Sequence, residues 1–376
     1  MAENETEQQQ AQTKRRAPRL RRWAGVTLLV AAAVLALLWL SDRLTLQSAE
    51  QQLAAIEAAR AIPDSENAAV IYNEVLANTD LVSGQPSFLG MDGMRGPWLS
   101  EDHPEAAEWL QAHQSQISRI VEASRKQKCR FPIPIETAGR TQEMNLLQAV
   151  RQWAQLLVSA ANNDMADGRT DAALQKYLCL IRMGAHFREQ PDMTKLLVGT
   201  AIEALALGHL KRLILQADVS NEDLAMIQAA VSNIKDTWDQ DMAPVIEVQK
   251  LIERTHLTLL ARLKKILLST DRKLLERARQ IYLRILAERR AIHILAGLRR
   301  YKDAHGRWPQ DLGVLRESVQ QEILVDPING GAFVYKLNEN GFTLYSKGQN
   351  NIDEDGSRKG VADDWLIWPV RGRKVK

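Results

Sequence analysis

Between residues 143 and 188 the apolar positions keep helical time. Leu146, Leu147, Val150, Trp153, Leu156, Leu157, Ala160 and Ala161 fall three and four apart, the stripe of an amphipathic helix. Asp167-Gly168-Arg169-Thr170 breaks the pattern as a turn, and Ala172, Leu174, Tyr177, Leu178 and Ile181 resume it over 171–188. The run 194–215 is apolar on most sides, which predicts a helix buried all round. Ser220-Asn221-Glu222-Asp223 has the form of a capping box opening the next helix. Upstream, Leu44, Leu46, Leu53 and Ile56 predict an amphipathic helix over 44–60, stopped by Pro63-Asp64-Ser65, and a second helix follows over 66–76. Residues 84–98 have no period and read as a loop, 104–124 as one helix, and 129–135 as extended, since Pro132 and Pro134 forbid a helix interior. Pro244 predicts the start of a helix running to 268, and Arg272 the start of another reaching 301.

At Gly306 the period changes. Arg307-Trp308-Pro309 ends the helix, 311–319 reads as a short helix, and Asn329-Gly330-Gly331 as a turn. Residues 333–337 and 342–346 alternate as strands around Asn338-Glu339-Asn340-Gly341, which predicts a hairpin, with Trp365-Leu366-Ile367-Trp368 as a last strand.

Residues 23–40 carry no charge and are nearly all apolar. Eighteen helical residues span about 27 Å, enough for a bilayer core. Six bases precede the segment between Lys14 and Arg22, while Asp42 and Arg43 follow it in near balance, so the N-terminus is expected in the cytoplasm and the bulk outside. Trp39-Leu40-Ser41-Asp42-Arg43 offers no small-residue cleavage point, which favours an uncleaved anchor in the inner membrane over a removed signal peptide.

Charge adds little beyond this. The whole chain of 376 residues has 49 Lys and Arg against 46 Asp and Glu, a net +3. The first 22 residues hold six bases and three acids, so the tail accounts for that excess and the rest is neutral. No nucleic-acid partner is expected. The basic run between Arg262 and Arg279 is read as a solvated face for the same reason. The expected fold class is therefore mainly α: a basic cytoplasmic tail (1–22), a transmembrane helix (23–40), an extracytoplasmic all-helical domain (41–270), and a long helix with a small α+β module containing an antiparallel hairpin (271–370).

Three resemblances attach to these elements. The small residues before Asp167-Gly168, followed by Ala172-Ala173-Leu174, are similar to a helical hairpin of tetratricopeptide type, although about three such units are needed for a solenoid. Leu298-Arg299-Arg300-Tyr301-Lys302, His305-Gly306-Arg307-Trp308-Pro309, Asp326-Pro327, Tyr335, Leu344-Tyr345-Ser346-Lys347-Gly348 and Asp363-Asp364 together resemble the C-terminal part of the type II secretion major pseudopilin. This match covers about the last quarter of the chain. Cys129-Arg130-Phe131-Pro132, Ala166-Asp167-Gly168 and Leu196 to Ala204 resemble membrane-anchored helical proteins of planctomycete type, a likeness that implies no activity.

Candidate chemistry is sparse. Cys129 and Cys179 are the only cysteines; outside the cytoplasm they could bridge, or stand as two buried thiols, and the sequence leaves both open. None of the seven histidines has metal-ligand spacing, and no nucleophile elbow, P-loop or dinucleotide fingerprint occurs. Glu203, on an apolar helix, is expected to pair with Arg182 or Lys211, or else to hold a raised pKa and act as an acid. Asn351, Asp353 and Asp355 alternate before Gly356, a way for a loop to wrap a hard cation, and Asp353, Glu354, Asp355 and Asp363 repel one another without one. The pseudopilin resemblance implies calcium in this loop, with Ser346, Asn350 and Asp364 at the family's ligand positions, so the expected metal set is Ser346, Asn350, Asp353, Asp355 and Asp364.

The reading that follows is a membrane-anchored, non-enzymatic scaffold that offers its C-terminal module to protein partners of a secretion or envelope assembly. The rival is a membrane-tethered hydrolase using carboxylates of the helical domain. A convergent polar cleft would favour the second, apolar grooves the first.

Overall fold

The structure, a computed structural model, describes residues 33–78 except 35, 38 and 42, then 84–133, 137–256, 270–339, 341–357 and 362–370. The basic tail (1–22), most of the expected membrane helix (23–40) and 257–269 lie outside the described residues. The chain forms two compact units, Met1–Ile56 with Lys250–Leu267, and Glu57–Gln249 with Leu268–Lys376.

In the first unit the described residues from 33 onward are helical, and α1 (43–59) begins here. Val34, Leu37, Trp39 and Leu40 are exposed, and the Arg43 guanidinium lies 4.6 Å over the Trp39 ring. Ala49 and Leu53, four apart and so on one face, are buried.

In the second unit α2 (Ala68–Asn78) packs on α5 (Gln114–Arg125), and α5 on α7 (Thr170–Arg188). Helix α6 (Thr137–Ala166) turns at Gly168, whose φ of +77° suits glycine, and α7 folds back on it. Asp192 caps α8 (Met193–Gln216) by accepting the Lys195 N–H at 2.7 Å. The α7–α8 crossing is close because Gly184 faces Gly199: a Cβ on Gly184 would meet the Gly199 carbonyl oxygen at 2.8 Å. Among the described residues only α8 is long and apolar enough to cross a membrane, and 61% of its apolar window is buried, as expected of the core helix its pattern predicts. The capping box stands at the start of α9 (Asn221–Ala230), with Ser220 Oγ accepting the Asp223 N–H and Asp223 accepting that of Ser220.

Several boundaries differ from the sequence reading. The loop 84–98 contains a short helix, α3 (Ser87–Gly90), and a 3₁₀ turn, pinned where Trp98 Nε1 donates to the Ser159 carbonyl at 3.0 Å. The expected helix 104–124 is two, α4 (Pro104–Ala112) and α5, broken at His113; its ring stacks on Trp109 and its Nδ1 lies 2.8 Å from the Trp109 carbonyl, competing for the helix's own acceptor. Pro244 does not start a helix but lies inside α10 (Trp238–His256). Residues 311–319 form no α-helix; 3₁₀ turns at Leu312–Leu315 and Gln321–Leu324 take that place.

Helix α11 (Thr270–His305) stops at Gly306, φ +72°. Strands β1 (Val334–Asn338), β2 (Gly341–Ser346) and β3 (Trp365–Trp368) form an antiparallel sheet in chain order, with Val334 opposite Tyr345 and Ser346 opposite Trp365. The fold is thus mainly helical with a small C-terminal sheet. One hydrophobic core runs from Ala68 through α6, α7, α8 and α11 to Phe342, Leu344 and Ile367, so no break in packing separates the sheet from the helices.

Candidate functional site

The C-terminal loop divides its five expected calcium ligands. Asp353 and Asp355 turn to a protein cation: Lys336, on β1, donates to Asp355 Oδ1 at 2.6 Å and to Asp353 Oδ2 at 3.1 Å, while the Tyr345 hydroxyl donates to Asp353 Oδ1 at 2.5 Å. The Asp353 carboxyl is held below its usual range, first by the Tyr345 bond and then by the Asp355 N–H and Lys336. Asn350 closes the loop on itself, its Oδ1 accepting the Ile352 N–H and its Nδ2 donating to Glu354. Ser346 and Asp364 are buried. Ser346 Oγ accepts the Gly348 N–H at 3.0 Å, and Asp364 Oδ2 accepts the amides of Glu354 and Gly356 at 3.0 and 2.8 Å. Asp364 Oδ1 and Asp363 Oδ1 are buried with no hydrogen-bond partner among the described residues, and burial raises the Asp364 pKa. Among the described residues no three His, Cys, Asp or Glu side chains gather where they could hold a metal ion. Lys336 was missed in the sequence because its charge looked like ordinary strand-surface polarity; the hairpin register alone places it beside the loop.

Cys129 and Cys179 are free thiols in this structure. Cys179 is locked on the buried face of α7 with its Sγ 3.8 Å from the Ile120 carbonyl, and Cys129 lies in the segment after α5. Burial raises both thiols, that of Cys179 to about 11, which suppresses the nucleophilic thiolate. Nearby His186 keeps its Nε2 proton on the Lys126 carbonyl at 2.9 Å, because a carbonyl only accepts, and its Nδ1 therefore accepts the Tyr72 hydroxyl at 3.1 Å.

Glu203 is not a free acid, and its partner is neither Arg182 nor Lys211. Arg289 of α11 grips it bidentately, Nε to Oε1 at 2.6 Å and Nη2 to Oε2 at 2.9 Å. Arg188 Nε also lies 2.9 Å from Oε2, off the angle of a hydrogen bond. Glu203 stands one turn beyond Gly199, so the glycine crossing brings α7 and its Arg188 against it. Burial alone would raise the Glu203 pKa; Arg188 and Arg289 outweigh it and hold the carboxylate below its usual range. Lys211 instead donates to Glu288 Oε2 at 2.6 Å and to the Ile367 carbonyl at 3.0 Å, and Trp365 Nε1 donates to Glu288 Oε1 at 2.8 Å. These buried bonds join α8, α11 and β3. Neither Glu288 nor Arg289 stood out in the sequence, although Glu288-Arg289-Arg290 interrupts an apolar run of α11.

Concavities open on the helices among the described residues. A groove of about 550 Å³ runs along α4 and the α6–α7 turn over Asp164, which is bonded by Lys176 and, at 2.8 Å, by Arg169 Nε. Arg169 also reaches Asp167 at 2.9 Å, which accepts as well from the Ser100 hydroxyl at 2.6 Å, the Ser100 N–H at 3.3 Å and Asn163 Nδ2 at 3.4 Å. Charges therefore converge here but are spent on one another. Also beside the α6–α7 hairpin, a cavity of about 310 Å³ is lined by Tyr177, His209 and Arg212. Along α6 and α8 a mostly apolar groove of about 350 Å³ is lined by Met94, Ala154, Leu197, Ala201 and Leu205. No known family model matches the chain, and neither does any curated protein or solved structure.

Proposed function

We propose that the chain is a membrane-anchored, non-enzymatic scaffold outside the cytoplasm, whose helical body, a tetratricopeptide-like stack, holds the pseudopilin-like C-terminal module toward protein partners of a secretion or envelope assembly. The observation that carries this reading is the buried junction of Lys211, Glu288, Trp365 and the Ile367 carbonyl, which welds the sheet to α8 and α11. A module held at a set angle by buried, charge-assisted bonds suits a presenting role. The hydrolase reading draws less support, because the helical carboxylates Glu203, Asp164 and Glu143 are each bound to a cation. The uncharged run 23–40 and its preceding bases support the anchor and its orientation.

The test is photocrosslinking in intact membranes from Ile352 and Leu337, two exposed positions of the module. Discrete adducts with extracytoplasmic proteins are expected from both, and few from the exposed Met226 on α9. Equal yields from all three positions would remove the presenting role. Calcium remains a proposal for the loop 346–364, supported by the buried unpaired oxygens of Asp363 and Asp364 and narrowed to their side of the loop, since Asp353 and Asp355 face Lys336. Hydrogen exchange of that segment in the full chain should slow in millimolar calcium and recover with chelator; an unchanged rate would end the proposal.

A further inference from the structure

The cavity beside Tyr177 sets oriented polar groups, without protein partners among the described residues, beside a rigid wall. The Tyr177 hydroxyl donates to Asn162 Oδ1 at 2.7 Å, and Asn162 Nδ2 donates to the Gly93 carbonyl at 2.8 Å. His209 stacks on Tyr177, ring centres 5.5 Å apart and planes within 16°. The imidazole is 6% exposed, yet neither ring nitrogen makes a hydrogen bond among the described residues. Burial, reinforced by Arg212, lowers its pKa to about 4, so at neutral pH it offers one donor and one bare acceptor. The ring nitrogens are open to the cavity rather than sealed from it, so they are available to whatever fills that space.

Arg212 stands three residues further along α8, on the same face. Its Nη1 donates to the Arg95 carbonyl at 2.9 Å, which anchors the guanidinium, and its other nitrogens have no partner among the described residues. Just past the end of α8, Asp218 supplies an exposed carboxylate to the same lining. Pro97, Met165 and Leu213 form the apolar part of the wall. One cation, one anion, a neutral donor-acceptor and an apolar patch therefore border a single space. Its volume, about 310 Å³, is at the small end of ligand sites, too small for a helix or a folded partner.

We propose that this cavity is a binding site for a small aliphatic zwitterion, a free amino acid or dipeptide, whose carboxylate pairs with Arg212, whose ammonium pairs with Asp218 and whose apolar side chain lies against Met165 and Leu213. His209 meets the ligand's polar backbone with the nitrogen that the fold leaves unpaired. Neither a bare anion nor a bare cation satisfies both charged walls, and this selects a zwitterion. The site is independent of the presenting role proposed above, since it lies at the α6–α7 hairpin and uses no residue of the C-terminal module.

The test is calorimetric titration of the full chain in detergent with alanyl-leucine, its C-terminal amide and its N-acetyl form. Alanyl-leucine is expected to bind saturably, and capping either end to weaken it by about tenfold or more, the effect of losing one charge-assisted bond. Arg212→Gln should weaken the uncapped dipeptide to the same degree. Asp218→Asn, at an exposed position that leaves folding intact, should remove the difference between the free and N-acetyl forms. His209→Phe, which keeps the stack on Tyr177, should reduce affinity without changing the melting temperature at neutral pH. Equal binding of all three ligands, equal binding by wild type and Asp218→Asn, or no binding of alanyl-leucine at millimolar concentration would overturn the assignment.

Discussion

Glu203 in the helical core and Asp353 in the C-terminal loop are both carboxylates paired with a basic side chain, and both have a pKa below the ordinary value. Their surroundings differ. The Glu203 side chain is 2% exposed and gripped by Arg289, itself 2% exposed, whereas Asp353 is 41% exposed and its partner Lys336 44%. Out of water, neither charge can be abandoned without leaving the other uncompensated, so the pair acts as a fixed joint between α8 and α11. At the surface, water and salt take over whichever partner is lost. Similar pKa directions therefore describe a joint in one region and a trim in the other.

The sharpest way to break this comparison is Glu203→Gln, which leaves Arg289 and Arg188 buried against a neutral amide. A loss of about 3–5 kcal/mol is expected in urea unfolding of the full chain. A loss below about 1 kcal/mol would mean that the core pair is no more a joint than the surface one.

Acid should also separate the regions. His209 binds its proton at about 4 in the fold but at 6.5 when free. The unfolded chain takes up that proton first, so the associated stability is complete above 6.5 and is lost as pH falls toward 4, up to about 3 kcal/mol. His186 and His293, also lowered chiefly by burial, add to the same slope. The Asp353–Lys336 pair contributes nothing in that window, because its carboxylate titrates lower still. Denaturation followed from pH 7 to 4 in wild type and His209→Phe should show a shallower slope in the variant; parallel curves would contradict the depressed imidazole.

The junction lies between the extremes. Lys211→Met strips one donor from Glu288 and one from the Ile367 carbonyl, for an expected loss of about 2–3 kcal/mol. Hydrogen exchange should quicken in β3 before it quickens in α7. Uniform quickening would show that the sheet and helices open together. Smallest of all, Lys336→Met should cost less than about 1 kcal/mol, and the wild-type contribution should fade in molar salt. A larger, salt-resistant loss would promote the loop to the class of the core.

Much of the architecture was legible locally. The stripe from Leu146 to Ala161, the glycine turn at Gly168, the all-round apolar run of α8 and the alternation around Asn338–Gly341 each carry their structure within a few residues, since helix and hairpin periodicities are short-range signals. The break at His113 was not legible in this way, because the residue that caused it is an ordinary helix former until its ring finds Trp109. Pro244 misled in the opposite direction: proline favours a helix start, but packing of Met242 and Val245 in one buried cluster keeps α10 helical on both sides of it.

The sequence by itself determined the long helices of the core, the glycine turn between α6 and α7, and the strands of the C-terminal sheet, and it placed Glu203 on an apolar helix. Only the tertiary structure decided which base pairs with it. Arg289 is 86 residues away, on α11, and reaches Glu203 because α11 packs on α8, while the Gly184–Gly199 crossing brings Arg188 of α7 to the same carboxylate and Lys211 is held by Glu288. The same holds for the C-terminal acids. Their clustering is written in the chain, but strand register brings Lys336 to Asp353 and Asp355 and leaves Asp364 inside. Periodicity is a property of neighbours along the backbone, whereas a charge selects its partner through space, after the backbone has been packed.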